Sequence, residues 1–434
     1  MEKPEKEAMG QTVANDACRI VLASASPRRR LLLEGAGLTV DIQPADIDES
    51  TQAGEDPVQY ALRMARSKAR VCHGRIGGRP PTVVAGDTVV TLDGEILPKP
   101  TSTDHAAAML RTLSGRQHVV ISAWATVDAQ GELHSGHDTA EITFRRLSSD
   151  EIEQYVDSGE PLDKAGAYGI QGLGGQLVAA FQGDFDTIVG LNVASILQDL
   201  RARRQIAMSA LGIRLATIRA RIAVAADVAQ RPVSTVRIVG AAKAQTNTTL
   251  ADAYAYGLRH FGDSYEQELR MRDSAWGPRA QWHFIGRLQR NKAKRVVQQV
   301  EWIHTVDSRR LADAIGRHAS DLNKDVRCLI QVNIANEPSK GGVMPDDCAA
   351  LVAHVNDVPG LTVCGLMALP PRTGFAELRQ WFRRVRNLRD EIQTPECPLP
   401  ELSMGMSQDL DAAIVEGATF IRPGSALFGP RPTA

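Results

Sequence analysis

The sequence predicts an α/β protein of two domains, the second a closed (β/α)8 barrel. Three observations carry this. The chain has 434 residues, and at roughly 100–200 residues per domain it divides into two or three. Strand and helix patterns alternate from Arg19 to about Leu200, where a basic stretch interrupts them before a new helix, LATIRARIAVAADVA. After Val236, short apolar strands recur at VRIVGAA, HFIG, WIHTV, CLIQVNI, VCGLMAL, ELSMGM and FIRPGSALFG, with amphipathic helices between most of them. That rhythm is the pattern of βα units on a parallel sheet, and seven or eight such units close a barrel.

The divisions follow from these patterns. Residues 1–17 are expected to be a disordered lead, 18–200 the first domain, 201–210 a linker and 211–434 the second domain. The linker lacks Pro and Gly, so it can be helical. Hydrophobic residues at 43% and charged residues at 23% allow each half its own core. With 50 basic and 51 acidic residues the net charge is −1, which gives no global attraction to nucleic acid or to an anionic membrane. None of the six cysteines forms a C-x-x-C pair, and scattered thiols fit a reducing compartment. The polar start MEKPEKEAMGQTVAND has no signal-peptide core, and no run of about 20 apolar residues occurs. A cytoplasmic protein without nucleic-acid or membrane partners is expected; no pattern in the chain fixes its oligomeric state.

In the first half, the strand IVLAS runs into Ser24, Ala25 and Ser26, then Pro27, Arg28 and Arg29. Ser suits a helix cap and Pro the first helical position. Two arginines in that first turn oppose the helix dipole, a conflict that a bound anion resolves; solvated arginines are the plainer reading. Asp48 and Glu49 form an acidic pair in PADIDES, Lys68 lies in RMARSKAR, and Asp87 and Thr88 interrupt the apolar strand VVAGDTVV. A carboxylate in an apolar strand is costly unless it is paired or binds a metal. Lys99 sits between two prolines in ILPKP, and KAGAYGIQG carries Lys164 and Gln171. Carboxylates together with several Lys and Arg are what a metal–triphosphate site needs, as oxygen ligands for Mg²⁺ and cations for phosphate.

These segments, LASASPRR, DIDES, ARSKA, AGDTVV, LPKP and AYGIQG, resemble the Maf family of nucleoside triphosphate pyrophosphatases over residues 18–200. The resemblance implies a Maf/ITPase-like α/β fold with the nucleotide in a central cleft. It implies hydrolysis of a nucleoside triphosphate to the monophosphate and pyrophosphate with a divalent cation, Mg²⁺ or Mn²⁺. It implies Asp87 as the catalytic carboxylate and Glu49 with Asp87 as metal ligands. Ser24, Arg28, Arg29, Lys68, Thr88, Lys99 and Gln171 are the implied substrate contacts. Arg28, Thr88 and Gln171 match the branch that acts on dTTP and UTP; a branch acting on modified purine nucleotides tends to carry Glu where Gln171 stands. Asn192, where the family usually has Pro, departs from the pattern.

In the second half, the first barrel strand runs to Lys243, on the functional face of such a fold. SMGMSQDL places Gly405 and Ser407 after a late strand, and IRPGSALFG places Arg422, Gly424 and Ser425 after the last. Barrels frequently bind phosphate there, and a lysine facing a phosphate cup is a Schiff-base arrangement. FGDSYEQE, WHFIGRLQRNKA, QVNIANEPSKGG, GLMALPP, SMGMSQDLDAAI and IRPGSALFG resemble the pyridoxal phosphate homeostasis family, related to the N-terminal barrel of alanine racemase, over residues 206–430. The resemblance implies a single-domain barrel with pyridoxal 5′-phosphate on Lys243, phosphate contacts from Ser407, Gly424 and Ser425, and Arg422 facing the pyridine nitrogen. It implies a non-catalytic role in PLP homeostasis. The alternative is an active PLP enzyme such as a racemase, which needs a second base; in alanine racemases an extra β-domain supplies it, and no such domain is expected before Ala434. The departures are Ala241 and Ala242 before the lysine, and Asp263 and Ser264 in place of the usual Glu-Asn, which weaken the expected grip on the cofactor.

Overall fold

The computed structural model describes residues 18–77, 81–272, 280–371 and 373–430. The lead assigned to residues 1–17 lies outside them. The first half is a seven-stranded mixed sheet. Its strands are β1 (Arg19–Leu22), β2 (Thr39–Ile42), β3 (Thr82–Leu92), β4 (Glu95–Leu97), β5 (Gln117–Val127), β6 (Leu133–Phe144) and β7 (Val178–Gln182), in the order β2-β1-β3-β5-β6-β7 with β4 paired to β3. β1 pairs in parallel with β2 and β3, while the pairs β3–β5, β5–β6 and β6–β7 are antiparallel. β3 is central and buried along almost its whole length, so its apolar run reads without alternation.

The second half is a closed parallel barrel of β8 (Arg237–Ala241), β9 (His260–Asp263), β10 (Gln281–Phe284), β11 (Trp302–Val306), β12 (Val326–Val332), β13 (Leu361–Ala368), β14 (Glu401–Ser403) and β15 (Phe420–Ile421). Seven strands lie where the apolar runs place them. The eighth, β9, is four residues long and carries His260 and Asp263, so periodicity alone passes over it. Val239, Trp302, Leu329, Met367 and Phe420 cluster inside the barrel.

The helix Val193–Ala202 runs past residue 200, and the next helix spans Ala210–Val228, leaving 203–209 as the connector. This connector is tied down rather than loose: Arg203 pairs with Asp128 and donates to Thr126 Oγ1 at 2.9 Å. The helix Ala210–Val228 packs on the helix Pro27–Gly35. A Cβ on Gly35 would lie 2.8 Å from Ala220 Cα and Ala223 Cβ, so this crossing needs a glycine. One apolar cluster runs unbroken from Ile20 and Leu33 in the first half to Leu215, Ile222 and Phe428 in the second. Among the described residues no helix is long and apolar enough to cross a membrane.

Candidate active site and cofactor pocket

Asp87 lies in the middle of β3. Side chains alternate along a strand, so Asp87 shares a face with Ala85 and Val89, which belong to the apolar cluster formed with Ala61 and Ala65 of the helix Pro57–Arg75. That helix brings Lys68 over the same face. Lys68 Nζ lies 2.7 Å from Asp87 Oδ1 and 2.6 Å from Glu49 Oε1. Glu49 is presented by the loop before the helix, where Tyr60 Oη donates to its backbone oxygen at 2.8 Å. Burial pushes the Glu49 carboxyl up, but Lys68, with Lys99 and Arg29 behind it, brings it below its usual value.

Thr88 points to the other face of β3 and meets a different cation. Arg29 Nη2 donates to Thr88 Oγ1 at 3.0 Å, Nη1 to Ser24 Oγ at 3.1 Å and Nε to the Gly190 carbonyl at 2.9 Å. Thr88 Oγ1 donates to the same carbonyl at 3.0 Å. Burial lowers the pKa of Arg29, and Asp87 and Glu49 counter this from nearby. The first helical turn forms as its residues demand, with Ser26 capping the helix and Pro27 at its start.

The predicted residues therefore fall into groups. Lys68, Asp87 and Glu49 converge, with Lys99 close enough to act on Glu49. Ser24, Arg29 and Thr88 converge beside them. Arg28 stands apart, near Gly169 and Asp163, so Arg29 rather than Arg28 is the partner of Thr88. Gln171 is buried, its Nε2 has no protein partner, and it lines a small void with Phe185, Phe375 and Arg379. Asn192, the departure from the family pattern, caps the helix Val193–Ala202 by accepting from Ser195 N.

Two carboxylates of hard oxygen character fit Mg²⁺ or Mn²⁺. Among the described residues no cluster of three or more His, Cys, Asp or Glu could hold a metal by itself. The donor set is thus of the kind in which one or two carboxylates share the ion with substrate phosphates.

At the barrel mouth, β14, β15 and β8 are neighbours. Arg422 N bonds Gly405 O at 2.9 Å and Ala241 N bonds Pro423 O at 3.0 Å, which locks the three strand ends together. Gly405 has φ +89°, and a Cβ there would strike that of Ala413. Ser407 Oγ accepts from Gly424 N at 3.2 Å and Ala426 N at 3.1 Å, with Ser425 Oγ 3.3 Å away. These donors converge on one oxygen as they would on a phosphate oxygen. Lys243 Nζ lies 3.1 Å from Tyr265 Oη and 4.6 Å from its ring centroid. Arg422 is buried against Ser403 Oγ and the Ala368 carbonyl, and burial lowers its pKa to about 10. The donors and the lysine fit a phosphate-bearing aldehyde.

Asp263 is fully buried and paired with Arg272, whose Nε and Nη2 lie 2.7 and 2.9 Å from its two oxygens. Arg272 also donates to Ala242 O and Gln245 O on either side of Lys243. Neither Arg272 nor Tyr265 is singled out from the sequence: Arg272 lies outside every motif, and Tyr265, although inside FGDSYEQE, carries no signal there for a contact with Lys243.

The fold and these two sites define a nucleotide-site α/β domain joined to a PLP-type barrel. The Maf-like protein family matches residues 19–203, and the alanine racemase N-terminal domain family matches residues 213–432. The chain is 47% identical over 188 residues to a dTTP/UTP pyrophosphatase of Anaeromyxobacter dehalogenans, covering 43% of this chain and 94% of the relative. It is 39% identical over 221 residues to a pyridoxal phosphate homeostasis protein of Aquifex aeolicus, covering 50% of this chain and 97% of the relative. A solved structure of PipY from Synechococcus elongatus with PLP bound is 34% identical over 50% of this chain and all of that one, with a TM-score of 0.45. The chain belongs to the Maf-like family through its first half and to the alanine racemase N-terminal domain family, in its pyridoxal phosphate homeostasis branch, through its second.

Proposed function

We propose that the protein is bifunctional: its first half hydrolyses dTTP and UTP to the monophosphate and pyrophosphate, and its second half binds pyridoxal 5′-phosphate and serves PLP homeostasis. The observation that carries the first reading is Lys68 held between Asp87 and Glu49, with the Arg29–Thr88 pair beside it. Asp87 orients the attacking water and accepts its proton or anchors the metal. Glu49 completes the acidic pair, Lys68 and Lys99 neutralise phosphate charge, and Arg29 keeps Thr88 and Ser24 in place. A divalent cation, Mg²⁺ or Mn²⁺, would supply further charge neutralisation on the phosphates. Such reactions depend on positioning and charge stabilisation, so clustered cations around one carboxylate pair suit them.

The second reading rests on the donors converging at Ser407. Ser407, Gly424 and Ser425 would hold the phosphate, Lys243 would supply the amine for the aldehyde, and Arg422 would be the cation beside the ring. When bound, PLP supplies an electron sink; a cation facing its nitrogen weakens that sink. This favours storage or delivery of the cofactor over amino-acid turnover. A pyrophosphate-release assay on dTTP, UTP and GTP, together with amino-acid racemisation on the PLP-loaded protein, tests both readings.

A further inference from the structure

Two arginines of the barrel half end on the nucleotide half. Arg379, in the helix Phe375–Ile392, is 6% exposed. Its Nε and Nη2 lie 3.1 and 3.0 Å from Glu416 Oε1, and its Nη1 donates to the Gly172 carbonyl at 2.8 Å. Gly172 closes the AYGIQG segment. The other side of that segment is held from within its own half: Tyr155 Oη accepts from Gly169 N at 3.0 Å, and Glu160 accepts from Leu173 N at 2.8 Å and Gly174 N at 3.1 Å. The loop is thus clamped from both sides, and one jaw belongs to the barrel.

Arg221 makes the second crossing. It pairs with Asp411, donates to the Ser407 carbonyl at 3.3 Å and lies 5.8 Å from the ring centroid of Phe185. Phe185 opens the short helix Phe185–Val189, which ends at Gly190. The Gly190 carbonyl is the acceptor shared by Arg29 and Thr88. The seam between these contacts is apolar. Phe375 meets Phe181 edge-on at 5.6 Å between ring centroids and Phe185 at 6.0 Å in a tilted arrangement, and a Cβ on Gly374 would strike the Ala179 carbonyl.

We infer that the barrel completes the nucleotide site: Arg379, through the Gly172 carbonyl, and Arg221, through Phe185, are positioning residues for the two segments that border it. Neither touches Lys68, Asp87 or Glu49. Their loss therefore loosens the fit of the substrate and leaves the groups that act on phosphate in place. The inference rests on the pyrophosphatase reading. It separates from simple adhesion between halves because adhesion alone would not change KM in a folded protein.

The test uses the full chain and pyrophosphate release from dTTP with Mg²⁺. Arg379→Gln removes a hydrogen bond from a charged donor and is expected to raise KM about tenfold with kcat within about twofold. The visible absorbance of the PLP-loaded barrel should not change. Phe375→Leu opens the same seam without unpairing Glu416, and it decides the matter should Arg379→Gln not fold. Arg221→Gln is expected to lower kcat/KM for dTTP and to weaken PLP binding together, because it reaches both Phe185 and Ser407. A KM within twofold of wild type in the folded variants overturns the inference, as does an activity loss that follows loss of folded protein by circular dichroism. A wild type that releases no pyrophosphate removes the pyrophosphatase reading and this inference with it.

Discussion

Lys68 Nζ lies 2.7 Å from Asp87 Oδ1, and both side chains are almost fully enclosed. The same ammonium is 2.6 Å from Glu49. Removing the charge of Asp87 therefore leaves Lys68 with a partner, and the fold should tolerate it. Asp87→Asn is expected to lower pyrophosphate release from dTTP by about 10²-fold or more, with an unchanged circular dichroism spectrum. Turnover close to wild type would take Asp87 out of the mechanism.

Arg29 uses three nitrogens on three acceptors: Ser24, Thr88 and the Gly190 carbonyl. A lysine has one nitrogen and cannot reproduce that fork. Arg29→Lys is expected to lower kcat/KM for dTTP and UTP about tenfold, and wild type is expected to prefer both over GTP. Steady-state kinetics on the three nucleotides checks this; a higher kcat/KM for GTP than for dTTP in wild type would contradict the pyrimidine assignment.

Much of this architecture was legible in the chain. Seven of the eight barrel strands follow from apolar runs, and Asp87 stood out because a carboxylate in β3 had to find a partner. Ser407, Gly424 and Ser425, far apart in sequence, meet because barrel topology brings strand ends together. Three things were not legible. β9 offers one large apolar residue, Phe261, between His260 and Gly262, and so shows no apolar run. Arg29 and Arg28 are adjacent arginines in one helical turn, and only the approach of Gly190 decides which of them meets Thr88. Gln171 reads as a base contact by motif, yet in the fold its amide is buried at the seam with the barrel beside Phe375 and Arg379. A contact between two domains leaves no trace in the periodicity of either.

Lys243 is the one lysine at the end of β8, beside Tyr265. Addition of PLP to wild type is expected to produce the visible absorbance of a Schiff base, and Lys243→Ala should lose it while keeping dTTP hydrolysis within about twofold, because Lys243 meets Tyr265 of the barrel and belongs to that site. An unchanged spectrum in the variant would assign the cofactor to another lysine.

Acid should destabilise the protein. Burial lowers His118 and His260 to about 4, and His283 and His304 well below their usual 6.5. Inside the barrel three of these form a chain: His260 Nδ1 is 3.0 Å from His283 Nε2, His283 Nδ1 is 2.9 Å from His304 Nε2, and His304 Nδ1 is 2.8 Å from Ser403 Oγ. The folded state binds fewer protons than the unfolded state below 6.5. Their contribution is therefore complete above 6.5 and is lost as pH falls toward about 4. Asp186 acts oppositely: burial raises it to about 6, so its contribution is present below 3.8 and lost as pH rises through 6. Burial also raises Asp138 and Asp409, and Glu132 and Asp199 raise the more exposed His134, all in the same sense as Asp186; the four buried imidazoles, two of them shifted well below 6.5, are expected to dominate. Tm measured by circular dichroism should fall between pH 7 and pH 5, and a flat or rising Tm would contradict the buried neutral imidazoles.

Two working sites on one chain, a pyrimidine nucleotide pyrophosphatase and a PLP-binding barrel, should be demonstrable together. The most direct measurement is made on one preparation of the full chain: pyrophosphate release from dTTP with Mg²⁺, and the visible spectrum of the same sample after PLP is added and the excess removed. Pyrophosphate and dTMP are expected in equal amounts, with a retained Schiff-base absorbance of one PLP per chain. No pyrophosphate from dTTP, or no retained absorbance, would contradict it.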